Sequence, residues 1–432
     1  MGAPMKISTK ILGFVALLTL LMPVLPAFAA TSQTPPPSAP PCSVTITGEN
    51  VGNTAIQTAI SNAEAHVTGP VVCIGPGIFP EQLVITSSGI SLRGLGTFHN
   101  PTVIEPNAPI VSTSVSPDSG LNEYNIILVE GVSSSVTGVT LSNLVVDGTN
   151  AQSTFTSCNE DYEGVLYLNG GGTISNDTVQ NILLPSADAG CQPGDAILVQ
   201  TASGYSSTVT ISGDKALNYN KNGITCNDMG TTCTIKSNKV SFYTPYSPYI
   251  APNGIQVAYG AVATVTKNTV EGNTCTEAIA CGPDVITQYA GSGILTYGSG
   301  AGTAVSSNIL SGNDIGVLVA DDSAPQTGNT ITGSTIAGIL QDDGASTYTA
   351  SKNILSGNPI GIMILSDGCS GYPNTFTANI KSNTYGLDSP KIQVLTMHGI
   401  PEFGCTNAGS VTLHFGGSTY SISGNNTVVS IT

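Results

Sequence analysis

The sequence predicts an all-β solenoid, a right-handed parallel β-helix with a capping helix at its N-terminal end and a β-hairpin cap at its C-terminal end. Three observations predict it. Composition barely changes along 432 residues, with Gly, Ser, Thr and Asn throughout, Val and Ile between them and no Trp, which favours one repetitive domain. Asn308, Asn329 and Asn353 each open a short strand, so the Asn recurs after 21 residues (329 minus 308) and then 24 (353 minus 329). Gly316, Gly338 and Gly361 each open a second strand at a matching offset. These strands are too short and too broken by Gly to be helices, and a repeat of about 20 to 25 residues is the size of one solenoid coil.

From the N-terminus, residues 1–30 read as an export signal. Lys6 and Lys10 precede an apolar run, and Ala27, Phe28 and Ala29 form a small-residue cleavage site. No later stretch is apolar enough to cross a membrane, so no span is expected after signal removal. Residues 31–41 are Pro-rich and form an extended linker. The β-helix is assigned to residues 42–405 and a C-terminal β cap to residues 406–432. Asn53 is placed to cap a helix with Ile56, Ala59, Ile60 and Ala63 on one face, which would cover the raw end of the coil stack. At the other end, two alternating strands flank Gly416 and Gly417 as a closing hairpin.

Weaker copies of the repeat run upstream, with Asn143, Asn238 and Asn268 heading one kind of strand and Gly164, Gly223, Gly254 and Gly293 opening the other. Asn tolerates the left-handed conformation of a tight corner. Stacked about 4.8 Å from an identical Asn, its amide donates and accepts along a column. The ladder is therefore structural. Ten Cys in an exported chain read as disulfides. Proximity in sequence suggests Cys42 with Cys73, Cys158 with Cys191, Cys226 with Cys233, Cys275 with Cys281, and Cys369 with Cys405.

The opening coils carry a resemblance. The helix at residues 55–60, the strand Val71 to Ile74 with Pro76, Gly77 and Phe79 after it, residues 81–85, and Ile90 to Gly96 around Arg93 are similar to the first coils of the pectin-lyase-like superfamily. The resemblance covers residues 44–397 and implies the right-handed parallel β-helix; it specifies no activity.

Charged residues make up 9% of the chain, with 11 basic against 27 acidic, which argues against nucleic acid as a partner. The distance from ladder Asn to strand Gly is 8, 9 and 8 in the clean coils. Upstream it swells to 21 (164 minus 143), 16 (254 minus 238) and 25 (293 minus 268). Insertions at one corner of stacked coils project from one side, the usual place of a solenoid's binding face. They carry Tyr162, Tyr243, Tyr246, Tyr249 and Tyr289, whose rings could stack on sugars or cover the loops' own apolar floor. Glu160, Asp161 and Glu163 could hold Ca²⁺ or form a solvated acidic loop; no cofactor is otherwise required.

Asp321, Asp322, Asp342 and Asp343 end successive Gly strands. Inverting glycosidases need two carboxyls about 6.5 to 9.5 Å apart, a separation adjacent coils can supply. Residues Gln341, Asp342 and Asp343 are similar to part of the polygalacturonase pattern, but the accompanying His-Gly and Arg-x-Lys coils are missing. Asp at a strand end is also ordinary turn chemistry. Arg93 is the sole arginine, so the cationic machinery of a polyuronate lyase is absent. Two function classes stay open: an extracellular protein that binds carbohydrate or serves as a rigid surface element, and a polysaccharide-acting enzyme using Asp carboxylates on adjacent coils.

Overall fold

The structure, a computed structural model, describes residues 40–47, 54–66, 69–188, 191, 193–242, 252–275, 290–342, 347–366, 375–386, 391–396, 410–423 and 427–431. Asn53, Tyr243, Tyr246, Tyr249, Tyr289, Asp343, Cys281, Cys369 and Cys405 lie outside the described residues.

Residues 41–432 form one unit built from three sheets of 14, 11 and 13 strands. Each coil sends one strand to each sheet in turn. Ser207–Ser212 lies in the first sheet, Lys215–Tyr219 in the second and Asn222–Asn227 in the third, before Thr231–Lys236 returns to the first. Successive coils pair parallel and in register, as with Ser207 on Thr231 and Ile224 on Ile255. Alternation along each strand then stacks like on like. Ile197, Ile224, Ile255 and Ile294 point inward and are fully buried, and a single cluster of such side chains runs from Ile46 to Ile422. Each buried Ile or Val contributes roughly 1.5 to 3 kcal/mol, which is what holds strands this short.

The Asn column is buried and continuous. The Nδ2 groups of Asn238, Asn268, Asn308, Asn329 and Asn353 donate at 2.9–3.1 Å to Oδ1 of the next Asn, ending on Asn383. The left-handed residue at this corner is the one before the ladder Asn: Ser237, Lys267, Ser307, Lys352 and Ser382 all have φ between 53° and 58°. Asn143 takes that corner position itself, with φ 56°, so it is a turn residue and not a rung. Upstream the rungs become carboxyls, with Asp177 N donating to Asp214 Oδ1 and Asp214 N to Asn238 Oδ1. A second, shorter column joins Asn273 Nδ2 to Asn313 Oδ1 at 2.9 Å.

The strand glycines form their own column for a steric reason. A Cβ on Gly223, Gly254, Gly293 or Gly316 would lie 2.4–2.7 Å from the carbonyl oxygen of the next Gly, closer than any real contact.

The ends are covered as the sequence predicts. Helix Ala55–His66 buries Ile56, Ala59, Ile60 and Ala63. Its first amides are satisfied by the Glu81 carboxylate, which accepts from Ile56 N at 3.0 Å and Gln57 N at 3.0 Å, the favoured charge at a helix N-terminus. At the far end Ser410–Phe415 and Ser418–Ser423 pair antiparallel. Strand Thr427–Ile431, not foreseen, closes the third sheet antiparallel to Ile392–Thr396. Disulfides join Cys42 to Cys73, Cys158 to Cys191 and Cys226 to Cys233, and Cys275 is also disulfide-bonded. Arg93 Nη2 lies 3.2 Å from both sulfurs of the first bridge. No helix among the described residues is long and apolar enough to cross a membrane.

Candidate functional site

The third sheet places a row of polar side chains on its outer face. Glu163, Asp195, Asn222, Asn253 and Ser292 are register partners on five successive strands. Each immediately precedes the residue that enters the small-residue column: Gly164, Ala196, Gly223, Gly254 and Gly293. A tight column below and an open face above thus come from the same two-residue pattern. One further outward step gives Leu198, Thr225, Gln256, Leu295 and Leu318 as the next row.

These rows floor a groove of about 430 Å³. Ser116, Asp118 and Ser119 wall one part of it and Pro193 with Gly194 another. Both walls come from insertions between the second and third sheets, the corner at which the sequence places every long insertion.

Four carboxyls meet at one end. Gln200 Nε2 donates to Glu123 Oε1 at 2.6 Å and Ser114 Oγ to Glu123 Oε2 at 2.5 Å. Ser119 Oγ donates to Asp161 Oδ2 at 3.1 Å. Asp195 Oδ2 accepts from Thr225 Oγ1 at 2.9 Å and Asn222 Nδ2 at 3.2 Å. Glu163 is 3% exposed and its Oε2 takes no hydrogen bond from the described residues. Burial, and then the like charges of Glu123, Asp161 and Asp195, push the Glu163 carboxyl well above the usual range. Burial also raises Glu123 and Asp161. Asp195 is pushed up to about 6 by burial, held there by its two hydrogen bonds and by Lys221. Burial lowers the Lys221 ammonium to about 8 against the pull of Asp195. Beyond the charged groups the lining includes paired amides: Asn253 Nδ2 donates to Asn222 Oδ1 at 3.0 Å and Gln256 Nε2 to Asn227 Oδ1 at 3.2 Å.

Of the residues singled out from sequence, Asp161 and Glu163 belong to this groove. Tyr162, between them, does not reach a ligand face. Strand alternation turns it inward, where it is fully buried, packs against Phe155 with ring centroids 4.4 Å apart, and points its hydroxyl at Gly148 O. Among the described residues no group of three or more His, Cys, Asp or Glu is arranged to hold a metal ion, and Glu160, Asp161 and Glu163 lie along one strand instead of around a centre. Asp322 closes a turn, accepting from Ser299 Oγ at 2.6 Å, Ser323 N at 2.5 Å and Ala324 N at 3.1 Å. Asp342 pairs in register with Ala320, and Asp321 N donates to Asp342 O; Asp321 itself sits at a left-handed corner with φ 50°. These three aspartates therefore occupy a corner of the stack away from the groove's lining. Glu123, Gln200, Lys221, Asn227 and Gln256 had no sequence reading; the polar residue before each strand Gly was the available signal for the central row.

Three parallel sheets wound coil upon coil, with one outer face opened into a polar groove, define the class: a right-handed parallel β-helix. Residues 196–384 match the family model described as the right handed beta helix region. No curated protein matches the chain in sequence. Among solved structures, the A-module of mannuronan C-5 epimerase AlgE6 from Azotobacter vinelandii is similar, with 15% identity over 79% of this chain and 93% of that one, at a TM-score of 0.43. An alginate lyase from Paenibacillus sp. str. FPU-7 shares 15% identity over 78% and 97%, at 0.46. A tailspike protein mutant of E. coli bacteriophage HK620, in complex with a pentasaccharide, shares 14% over 80% and 62%, at 0.48. At such identities the likeness is one of fold.

Proposed function

We propose that the protein is exported and binds an extended polysaccharide along the outer groove of the third sheet. One observation carries the reading: the buried Glu163 carboxyl faces the groove with an oxygen that no group among the described residues satisfies. A buried acceptor left without a donor costs about 1 to 3 kcal/mol, so the site is completed by a ligand rich in hydroxyl donors. Leu198, Leu295 and Leu318 beside Asn227, Asn253 and Gln256 supply what a sugar chain needs, apolar surface for its C–H faces and paired amides for its hydroxyls. The disulfides and the N-terminal apolar segment fit an oxidising, extracellular setting.

Glycoside hydrolysis is the second reading, and the Glu163–Asp195 pair favours it. Their environments separate two carboxyls on adjacent rungs: Glu163 keeps its proton and is fit to donate it to a leaving oxygen, whereas Asp195 ionises near pH 6. No cofactor enters this scheme. Polysaccharide retention and reducing-sugar release by the disulfide-bonded protein test both readings. The double variant Asn227→Ala, Gln256→Ala should weaken retention by about tenfold or more, and unchanged retention refutes the groove. Glu163→Gln should keep retention and abolish sugar release, with Asp342→Asn as an active control. Full hydrolysis by Glu163→Gln refutes the enzymatic reading alone.

A further inference from the structure

The groove does not end at its carboxyl cluster. Asp118 and Tyr259 line it and also line a neighbouring concavity of about 760 Å³, together with Thr201, Tyr205, Asp228 and Met229. Two features of this second space are unusual for a coil corner. Tyr259 is 55% exposed and meets the exposed ring of Tyr297 edge to face, centroids 5.7 Å apart, so two aromatic rings stand at the surface. Asp228, by contrast, is 7% exposed, sits at φ 77°, and finds among the described residues no N–H or hydroxyl donor for its Oδ2, only the carboxyl of Asp118, with which it hydrogen-bonds. Burial, then the hydrogen bond to Asp118 and that neighbour's like charge, raise the Asp228 carboxyl, so the pair holds a proton between them. None of the residues lining the concavity is Lys, Arg or His.

We propose that this concavity is a subsite for an amino sugar carrying a free ammonium group, which bridges the carboxyls of Asp118 and Asp228 while the sugar ring stacks on Tyr259. The assignment rests on the polysaccharide reading of the groove and names the sugar class that its extension selects. A neutral hydroxyl gives one donor and no charge, and leaves the two carboxyls dependent on the proton they share. An ammonium gives three donors and a positive charge, so it can replace the shared proton and bond both carboxyls at once. A uronic acid is repelled by the same pair, and acetylation of the amine removes both the charge and two donors. The ring of Tyr259 offers a flat apolar face to the sugar's C–H surface, and its quadrupole also attracts a cation.

Titration calorimetry on the disulfide-bonded protein tests the assignment with four probes: a glucosamine hexamer, its N-acetylated counterpart, a glucose hexamer and a galacturonate hexamer. The parent should bind the glucosamine hexamer at least tenfold more tightly than the N-acetylated and glucose hexamers, and the galacturonate hexamer most weakly. Asp228→Asn keeps the shape and tolerates positive φ; it should erase that tenfold preference and leave the glucose hexamer unchanged. Asp118→Asn, on an exposed turn, should act in the same direction and stands in if Asp228→Asn fails to fold. Equal affinity of the parent for glucosamine and glucose hexamers overturns the amino-sugar assignment while the groove reading survives. An equal loss for both hexamers in Asp228→Asn also overturns it. If no hexamer binds, and the double variant at Asn227 and Gln256 also behaves as the parent does toward polysaccharides, the groove reading fails and this subsite with it.

Discussion

Replacing Asp214 by Asn should stabilise the protein above neutral pH and make little difference in acid. Asp214 is a rung of the buried column. Its Oδ1 accepts from Asp177 N at 2.8 Å, and its Oδ2 is buried without a hydrogen-bond donor among the described residues. One coil on, Asn238 uses its amide to donate to Ile211 O and Asn268 Oδ1. A carboxylate at Asp214 has no such donors, and its backbone hydrogen bonds with Asp177 and Ser212 only partly offset its burial. Burial accordingly pushes the Asp214 carboxyl from 3.8 up to about 7. The folded state thus holds this proton more tightly than the unfolded chain does. The stability linked to it is fully present below about pH 3.8 and is lost as pH rises through 7. Each pH unit of that interval is worth about 1.4 kcal/mol, so the loss is on the order of 4 kcal/mol. Burial, and next the charge of Asp214, also raises Asp177, so neutralising Asp214 eases its neighbour as well. Urea unfolding of parent and Asp214→Asn at pH 4 and pH 8, followed by circular dichroism, measures the effect as a difference in midpoints. The variant's advantage should be small at pH 4 and should grow by several kcal/mol at pH 8. A pH-independent offset, or a variant less stable than the parent at pH 8, would refute the claim that an ionised rung is what the fold resists.

Two further substitutions probe the columns. Gly254→Ala puts a Cβ 2.5 Å from Gly293 O and 2.2 Å from Val270 Cγ1 and should cost about 2 to 3 kcal/mol in thermal unfolding. Gly298→Ala, at φ 51° with nothing within 4 Å, should cost only about 1 kcal/mol; equal losses would mean that crowding does not explain the glycine column. Asn308→Ala removes the donor to Val265 O and Asn329 Oδ1 and the acceptor of Asn268 N. It should lower stability by about 3 kcal/mol and speed hydrogen exchange at the Asn268 amide, and an unchanged exchange rate would show that the rung is dispensable.

The fold was legible because its repeat is enforced twice, by hydrogen bonds at the Asn corner and by contact at the Gly strand. Both leave a residue type that nothing else can replace cheaply, so Asn308, Asn329 and Asn353 and the glycines after them stand out against variable neighbours. The conformational reason assigned to the Asn was misplaced by one residue. The left-handed strain falls on Ser307 and Lys352, which carry it despite having no special tolerance, because the rung that follows over-determines the corner. The clean signal was the side chain's need for a partner, and the strained position is nearly invisible in sequence.

The site was less legible for a reason rooted in the same geometry. A coil stack brings residues from different turns together at about 4.8 Å, so a functional row is spread through the chain at one position per coil. Glu163, Asp195, Asn222, Asn253 and Ser292 are never neighbours in sequence, whereas Asp321 and Asp322, or Glu160, Asp161 and Glu163, are. Contiguity therefore drew attention to residues adjacent in sequence and away from the column. In a strand, adjacent residues face opposite sides, which is why Tyr162 entered the core between two groove carboxyls. The informative unit in a solenoid is the column, and reading the residue before each strand glycine down the coils assembles the row of Glu, Asp, Asn, Asn and Ser on which the proposed site is built.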